Sequence, residues 1–283
     1  MASGPHASPP FQIVGVMRTD AGLVRELNED FVVWVTPQSN DVGHNQGSLA
    51  LIADGMGGHA AGEVASALAA DVIRRLYYDL DGSVPDIFAE AFSAANRGII
   101  EYAAEHPECR GMGTTCTALA FRDGQAWLAH IGDSRAYLLR NGELIQLSED
   151  QTLVAKLVSE GAMTQEESER SPMHNVILQA LGTTEQIKPQ IGSKGIPLAI
   201  DDVWVLCSDG LFNMVPNERI AAIAGSLPPQ EACDSLIEAA LAAGGLDNAS
   251  LGIFSITPVA EPKTAPEPTT RDIKIPMPDH RKA

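Results

Sequence analysis

An α+β domain is expected for this 283-residue chain, on three observations. Short runs rich in apolar and β-branched residues recur in both halves of the chain and read as strands. Two long amphipathic segments follow one another with no strand between them, which breaks the alternation of a βαβ fold. Hairpin dipeptides, Asp123-Gly124 and Asn141-Gly142, separate neighbouring strand-like runs and favour antiparallel pairing.

Taken along the chain, strands are expected over 11–18, 30–35, 48–54, 114–121, 125–131, 134–140, 143–147, 187–192, 202–208 and 249–256. Those within 114–147 read as one antiparallel meander. Helices are expected at 62–80, where Val64, Leu68, Val72 and Leu76 recur every four residues, and at 84–104, where Ile87, Ala91, Ala95, Ile99 and Tyr102 do the same. Segments 151–160 and 229–243 read as further helices. Segment 161–182 is acidic and then meets Pro172, so it reads as a surface flap, about 148–182 with its roots. Residues 1–10 are rich in Pro, Ser and Gly, and 258–283 in Pro and Thr. Neither stretch has enough apolar surface to fold alone, so one domain is expected at 11–257 with disordered ends.

Composition narrows the function. A net charge of −18, from 19 basic and 37 acidic residues, argues against nucleic acid as a partner, because phosphate contacts need clustered Lys and Arg. No apolar run approaches the roughly 20 residues that span a bilayer, and the first residues lack the features of a signal peptide. Cys109, Cys116, Cys207 and Cys233 have no metal-binding or redox spacing and read as core residues of a reducing compartment. A cytoplasmic protein is therefore expected.

Five acidic residues stand at the ends of apolar runs: Glu29 in RELNED, Asp54 in LALIADGMGG, Asp133 in AHIGDSRAY, Asp209 in VWVLCSDGLF and Asp247 in GGLDNASLGIF. A carboxylate at a buried strand end is costly unless a cation offsets it. Singly, each reads as a turn or cap residue; together they point to an oxygen-ligand site for hard divalent cations. The glycines after Asp54 are expected to turn the backbone sharply and set a carbonyl beside the carboxylate. Arg25 is either a surface arginine or, beside such a cluster, a planar fork for phosphate. Two metals roughly 3.5–4 Å apart can lower the pKa of a shared water and aim it at phosphorus. Thr114 and Thr115 read as sheet-forming residues. Ser134 and Ser208 lie in no GxSxG elbow and are not nucleophile candidates.

RELNED, ADGMGGHAAGEVAS, GMGTTCTALAF, HIGDSRAYLLRNGEL, CSDGLF and LDNASLGIF together resemble, in order, the motifs of the bacterial branch of the type 2C, or PPM-type, metal-dependent serine/threonine protein phosphatases. The resemblance covers about 11–257. It implies a four-layer αββα sandwich: two central, mostly antiparallel sheets flanked by paired helices, with a surface flap. It implies two Mn2+ or Mg2+ ions bridged by Asp54, the first held also by the Gly55 carbonyl and the second by Glu29, Asp209 and Asp247. Asp133 with Asp209 matches a third, weaker ion near the flap. Arg25 matches the phosphate-binding arginine, and Asp30 and Asn248 match residues that order waters and ligands around the cluster. The activity implied is hydrolysis of phosphoserine and phosphothreonine in proteins by direct attack of a metal-activated water. A monomeric enzyme opposing a bacterial Ser/Thr kinase is expected.

Some positions depart from the pattern. Met56 stands where animal members carry a histidine proposed as general acid, and His59 reads as a helix-start residue. Gln151 and Thr152 replace the last two residues of an Asp-His-Ser segment, and Gln179 replaces an arginine of the flap. These changes bear on contacts between flap and substrate rather than on the metal core.

Overall fold

A computed structural model describes residues 11–37, 44–57 and 61–259. Two antiparallel sheets lie face to face at its centre. The first contains β1 (Phe11–Asp20), β7 (Arg135–Arg140), β8 (Glu143–Gln146), β11 (Val203–Cys207) and β12 (Ala249–Pro258), in the order β1-β12-β11-β7-β8. The second contains β2 (Asp30–Val35), β3 (Ser48–Met56), β5 (Cys116–Arg122), β6 (Gln125–Ile131) and β10 (Ile196–Pro197), in the order β10-β6-β5-β3-β2. The short β4 (Gly113–Thr114) pairs with β3, and β9 (Gln190–Ile191) with β6.

Alternation along the strands builds three apolar layers, because successive side chains point to opposite faces. In β3, Ala50 and Ile52 face the other sheet, packing with Leu119 and Phe121 of their own sheet and with Trp204, Leu206 and Phe254 of the opposite one. Leu49 and Leu51 face outward onto α1 (Ala61–Asp79) and α2 (Val84–Glu105), packing with Ile73, Phe88, Phe92 and Ile99. On the other side Val205, Cys207, Leu251 and Ile253 face α6 (Asn217–Ser226) and α7 (Pro229–Ala242). The layers are therefore helix pair, sheet, sheet, helix pair, as expected. At the centre, Phe121 lies edge-on to Trp204 with ring centroids 5.9 Å apart, the favourable arrangement for aromatic quadrupoles.

Both hairpin dipeptides do what their chemistry suggests. Asp123 and Gly124 have φ of 53° and 72°, Asn141 and Gly142 of 54° and 81°, the paired positive values of a tight primed turn. The meander expected over 114–147 is corrected, however. β5 and β6 form one hairpin and β7 and β8 another, in different sheets. Between them the chain crosses from sheet to sheet at Gly132, whose φ is 108°. The strand expected at 187–192 shrinks to Gln190–Ile191, since Pro189 cannot donate to a ladder. Helix α6 was not expected; its two buried residues, Ile220 and Ala224, give too narrow an apolar stripe to stand out.

The flap leaves the core after β8 and contains α3 (Leu153–Ser159) and α4 (Gln165–Glu169). Thr152 caps α3, accepting from the Ala155 amide, and Thr164 with Glu167 forms a capping box on α4. Its two ends are fastened by bridges of Thr152 to Ile177 and Thr114 to Leu181. Gln151 ties the same root to the sheet crossing: its Oε1 accepts from the Gly132 amide at 3.1 Å. Gln179 Oε1 accepts from the Lys188 amide at 3.1 Å. Among the described residues no helix is long and apolar enough to cross a membrane. His59 and the terminal stretches 1–10 and 260–283 lie outside the described residues.

Candidate metal centre

Asp30 and Asp54 begin the construction, because they sit directly opposite one another on the paired strands β2 and β3. Asp54 does not stand at a turn, as the sequence suggested; β3 runs on through Gly55 to Met56. The glycine is needed for close approach instead. A Cβ at Gly55 would lie 2.2 Å from the Gly62 carbonyl oxygen and 2.6 Å from that of Glu29. That closeness lets the Gly55 amide donate to the Glu29 carbonyl at 3.1 Å. It also sets the start of α1 against Glu29, whose Oε1 accepts from the Gly62 amide at 3.2 Å. An anion there is favoured by the positive end of the helix.

Two further acids come from the other sheet. Asp209 opens the short helix α5 (Asp209–Phe212) just after β11, and Asp247 precedes β12. Asn248 fastens this side to the loop before β2. Its Oδ1 accepts from the Glu29 amide at 2.8 Å, and its Nδ2 donates to the Ala21 and Leu27 carbonyls at 2.9 Å each. Asp133 enters from the sheet crossing after β6.

These residues meet. A cleft of about 210 Å³ is lined by Arg25, Glu29, Asp54, Gly55, Asp133, Asp209, Asp247 and Asn248, with Asn175 and Ile177 reaching in from the flap. Asp30 lies buried behind it, its Oδ2 accepting from Ser208 Oγ at 2.9 Å. Arg25 stands half-exposed at the rim and donates to Asp247 Oδ2 at 2.7 Å. Every site residue expected from the sequence is thus in or against one cleft.

The electrostatics of the cleft favour cations. Burial raises the Asp54 carboxyl well above the usual range, and the charges of Asp30 and Asp209 push it further. Burial likewise lifts Asp30 and Asp133 to about 7 and, with Asp247 adding to it, Asp209 to about 6. Burial raises Glu29 too. Arg25 is raised chiefly by its hydrogen bond to Asp247, and it is too small a charge to balance the rest. Asp30 Oδ1 and Asp133 Oδ1 are buried with no hydrogen-bond partner. Crowded, desolvated carboxylates of this kind are stabilised by divalent ions.

The donor set fits Mn2+ or Mg2+, being all oxygen. Among the described residues, no three acidic, histidine or cysteine side chains cluster tightly enough to cage one ion by themselves.

Some supporting residues escaped the sequence reading. Thr115 Oγ1 accepts from the Asp54 amide at 3.1 Å and lies 2.8 Å from Ser134 Oγ, while Thr114 Oγ1 donates to the Asp54 carbonyl at 2.9 Å. These hydroxyls anchor the backbone of Asp54 rather than simply favouring a strand. Ser208, set aside as a nucleophile, holds Asp30. The one visible signal was the place of Ser134 and Ser208 directly beside the acids Asp133 and Asp209; Thr114 and Thr115 had no acid in their motif. Asn175 carried no signal, since its position depends on how the flap folds back.

Fold and cleft together define an αββα sandwich protein with an oxygen-rich cation site at the junction of its sheets. Comparison with known proteins narrows this. The family profile described as Protein phosphatase 2C matches residues 26–239. The chain is 38% identical over 252 residues to the serine/threonine protein phosphatase PstP of Mycobacterium tuberculosis, covering 88% of this chain and 46% of that protein. It therefore spans about half the length of that relative. It is 36% identical over 243 residues to the protein phosphatase PhpP of Streptococcus pneumoniae, covering 84% of this chain and 95% of PhpP. The crystal structure of the PstP catalytic domain in complex with two manganese ions superposes with a TM-score of 0.75 at 37% identity, over 87% of this chain and 98% of that one. The chain belongs to the protein phosphatase 2C family.

Proposed function

We propose that this protein is a metal-dependent phosphatase that hydrolyses phosphoserine and phosphothreonine in proteins. The observation that carries this reading is the convergence of Glu29, Asp54, Asp133, Asp209 and Asp247 with Arg25 in one cleft. In this reading Asp54 and the Gly55 carbonyl would hold a first Mn2+ or Mg2+ ion, and Asp54 with Glu29, Asp209 and Asp247 would hold a second. Asp133 and Asp209 form a weaker third site facing the flap. Bound there, the ions supply a water acidic enough to attack phosphorus at neutral pH and offset the charge of the phosphoryl group.

The protein's own groups do the positioning. Arg25, half-exposed at the rim, would turn from Asp247 toward two non-bridging phosphate oxygens, where its planar fork binds bidentately. Asn248 keeps Glu29 and Asp247 in register through its amide, and its own backbone amide donates to Asp247 Oδ1 at 2.9 Å. Ser208 and Asp30 brace the cleft from behind. Met56 lines the cleft but has no proton to give a leaving group.

The domain doing this would be 11–257, with 1–10 and 258–283 as appended segments. Relatives named as bacterial Ser/Thr phosphatases support a role opposite a Ser/Thr kinase. The four described cysteines are buried and unpaired, which fits a reducing cytoplasm. We take the active form to be a monomer, which light scattering on the active fraction checks. The deciding experiment is phosphate release from a phosphothreonine peptide with Mn2+ and with chelator. Release that survives chelation overturns the reading.

A further inference from the structure

Beside the metal cleft a second cavity of about 310 Å³ opens between core and flap. It shares Asp133, Asn175 and Asp209 with the cleft, so the two hollows adjoin through those residues. Its volume is at the lower end of the range for small-ligand pockets, enough for one side chain.

The cavity is lined by three carboxylates, Asp133, Asp150 and Asp209, against Arg135 and the imidazole of His174. Arg135 in its wall is already engaged: it binds Asp150 through Nε and Nη2 at 2.6–3.1 Å and donates to Tyr137 Oη at 3.2 Å. Its guanidinium also lies 3.7 Å from the centre of the Phe212 ring. Asp133, by contrast, is only 6% exposed and its Oδ1 has no hydrogen-bond partner. Val154 and Ala155 supply an apolar wall along the flap side. A polar end with an unpaired carboxylate and an apolar flank suits a long side chain with an aliphatic stem and a cationic head.

We propose that this cavity takes a lysine or arginine side chain flanking the phosphorylated residue, which makes the enzyme selective for basic phosphosites. The proposal rests on the phosphatase reading above. The head group would pair with Asp133 while the phosphate occupies the adjoining cleft. The net charge of −18 favours the encounter with such substrates. A weakly held third ion would compete with the substrate cation for Asp133.

The test uses phosphothreonine peptides in which a single Lys, Gln or Glu is moved through the positions on either side of the phosphoresidue. At one position Lys should lower KM about tenfold relative to Glu with little change in kcat, the size of one charged hydrogen bond. Ala155→Leu, which fills the cavity, should abolish that preference while hydrolysing p-nitrophenyl phosphate, which has no flanking residue, like the wild type. Should Ala155→Leu not fold, Asp133→Asn decides, because it must remove the ratio between Lys and Glu peptides. A wild type that hydrolyses all peptides equally overturns the proposal and leaves the phosphatase reading intact. So does a preference that survives Ala155→Leu and fades only with salt, which would belong to the overall charge. A wild type that hydrolyses p-nitrophenyl phosphate but no phosphopeptide overturns the phosphatase reading itself.

Discussion

Asp54 is held by three contacts to its backbone, from Thr114, Thr115 and the opposite strand, so the main chain that carries its carboxylate is fixed before any ligand arrives. Asp54→Asn keeps the shape and removes the charge. It should lower phosphopeptide kcat/KM by about 10²-fold or more, as expected when charge stabilisation in a site is removed. Mn2+ affinity measured by calorimetry should fall with it. Arg25→Ala should act differently. The loss of the phosphate fork should raise KM and lower kcat/KM by about 10²-fold. Mn2+ affinity should hold or rise, because Asp247 then loses its competing partner. A fall in Mn2+ affinity for Arg25→Ala would show that the arginine serves the metal site rather than the substrate. At this scale the sequence was most informative about acids, since a carboxylate after an apolar run is conspicuous. It was least informative about Thr115, Ser134 and Asn175, whose value comes only from partners distant in the chain.

The start of α1 carries the clearest test at the level of one element. Alanine is a better helix former than glycine by about 1 kcal/mol, so Gly62→Ala would stabilise an isolated helix. Here the new Cβ would sit 2.4 Å from Glu29 Oε1 and 2.9 Å from the Gly55 carbonyl carbon. Backbone cannot yield easily at that distance, so the clash should win. Gly62→Ala should lower Tm and weaken Mn2+ binding together, whereas Gly98→Ala in α2, with no atom within 4 Å of the new Cβ, should do neither. Elements of this kind were legible where periodicity was strong, as in α1, α2 and β3. The crossing after β6 was not. Both hairpin signals were true, but no local feature of Gly132-Asp133-Ser134 says which sheet the next strand joins. Only packing of Leu138 and Ala136 against the inner face of the other sheet settles it.

For the whole molecule, the buried acids make stability depend on pH and metal together. Asp30, Asp54, Asp133 and Asp209 all have folded-state values above the ordinary range near 4. Over this window the folded state holds more protons than the unfolded state. Their contribution is therefore fully present below pH about 4 and is lost as pH rises through about 6 and 7. Chelated protein should accordingly have a lower Tm at pH 8 than at pH 5.5. Divalent ions compete with those protons, so the rise in Tm on adding Mn2+ should be larger at pH 8. Scanning calorimetry at the two pH values, with and without Mn2+, checks both signs. A Tm increment independent of pH would mean that the ions bind elsewhere.

The pairing of β1 with β12 has a practical consequence. Phe11 lies across from Pro258 at one end of this ribbon, while Asp20 lies across from Ala249, next to Asp247 and Asn248, at the other. Affinity handles or surface linkers fused before Phe11 or after Val259 would leave from the pole facing away from the catalytic mouth. An immobilised enzyme joined at either point would still present its opening to bulky protein substrates. Swapping the attachment between the two ends should leave turnover unchanged.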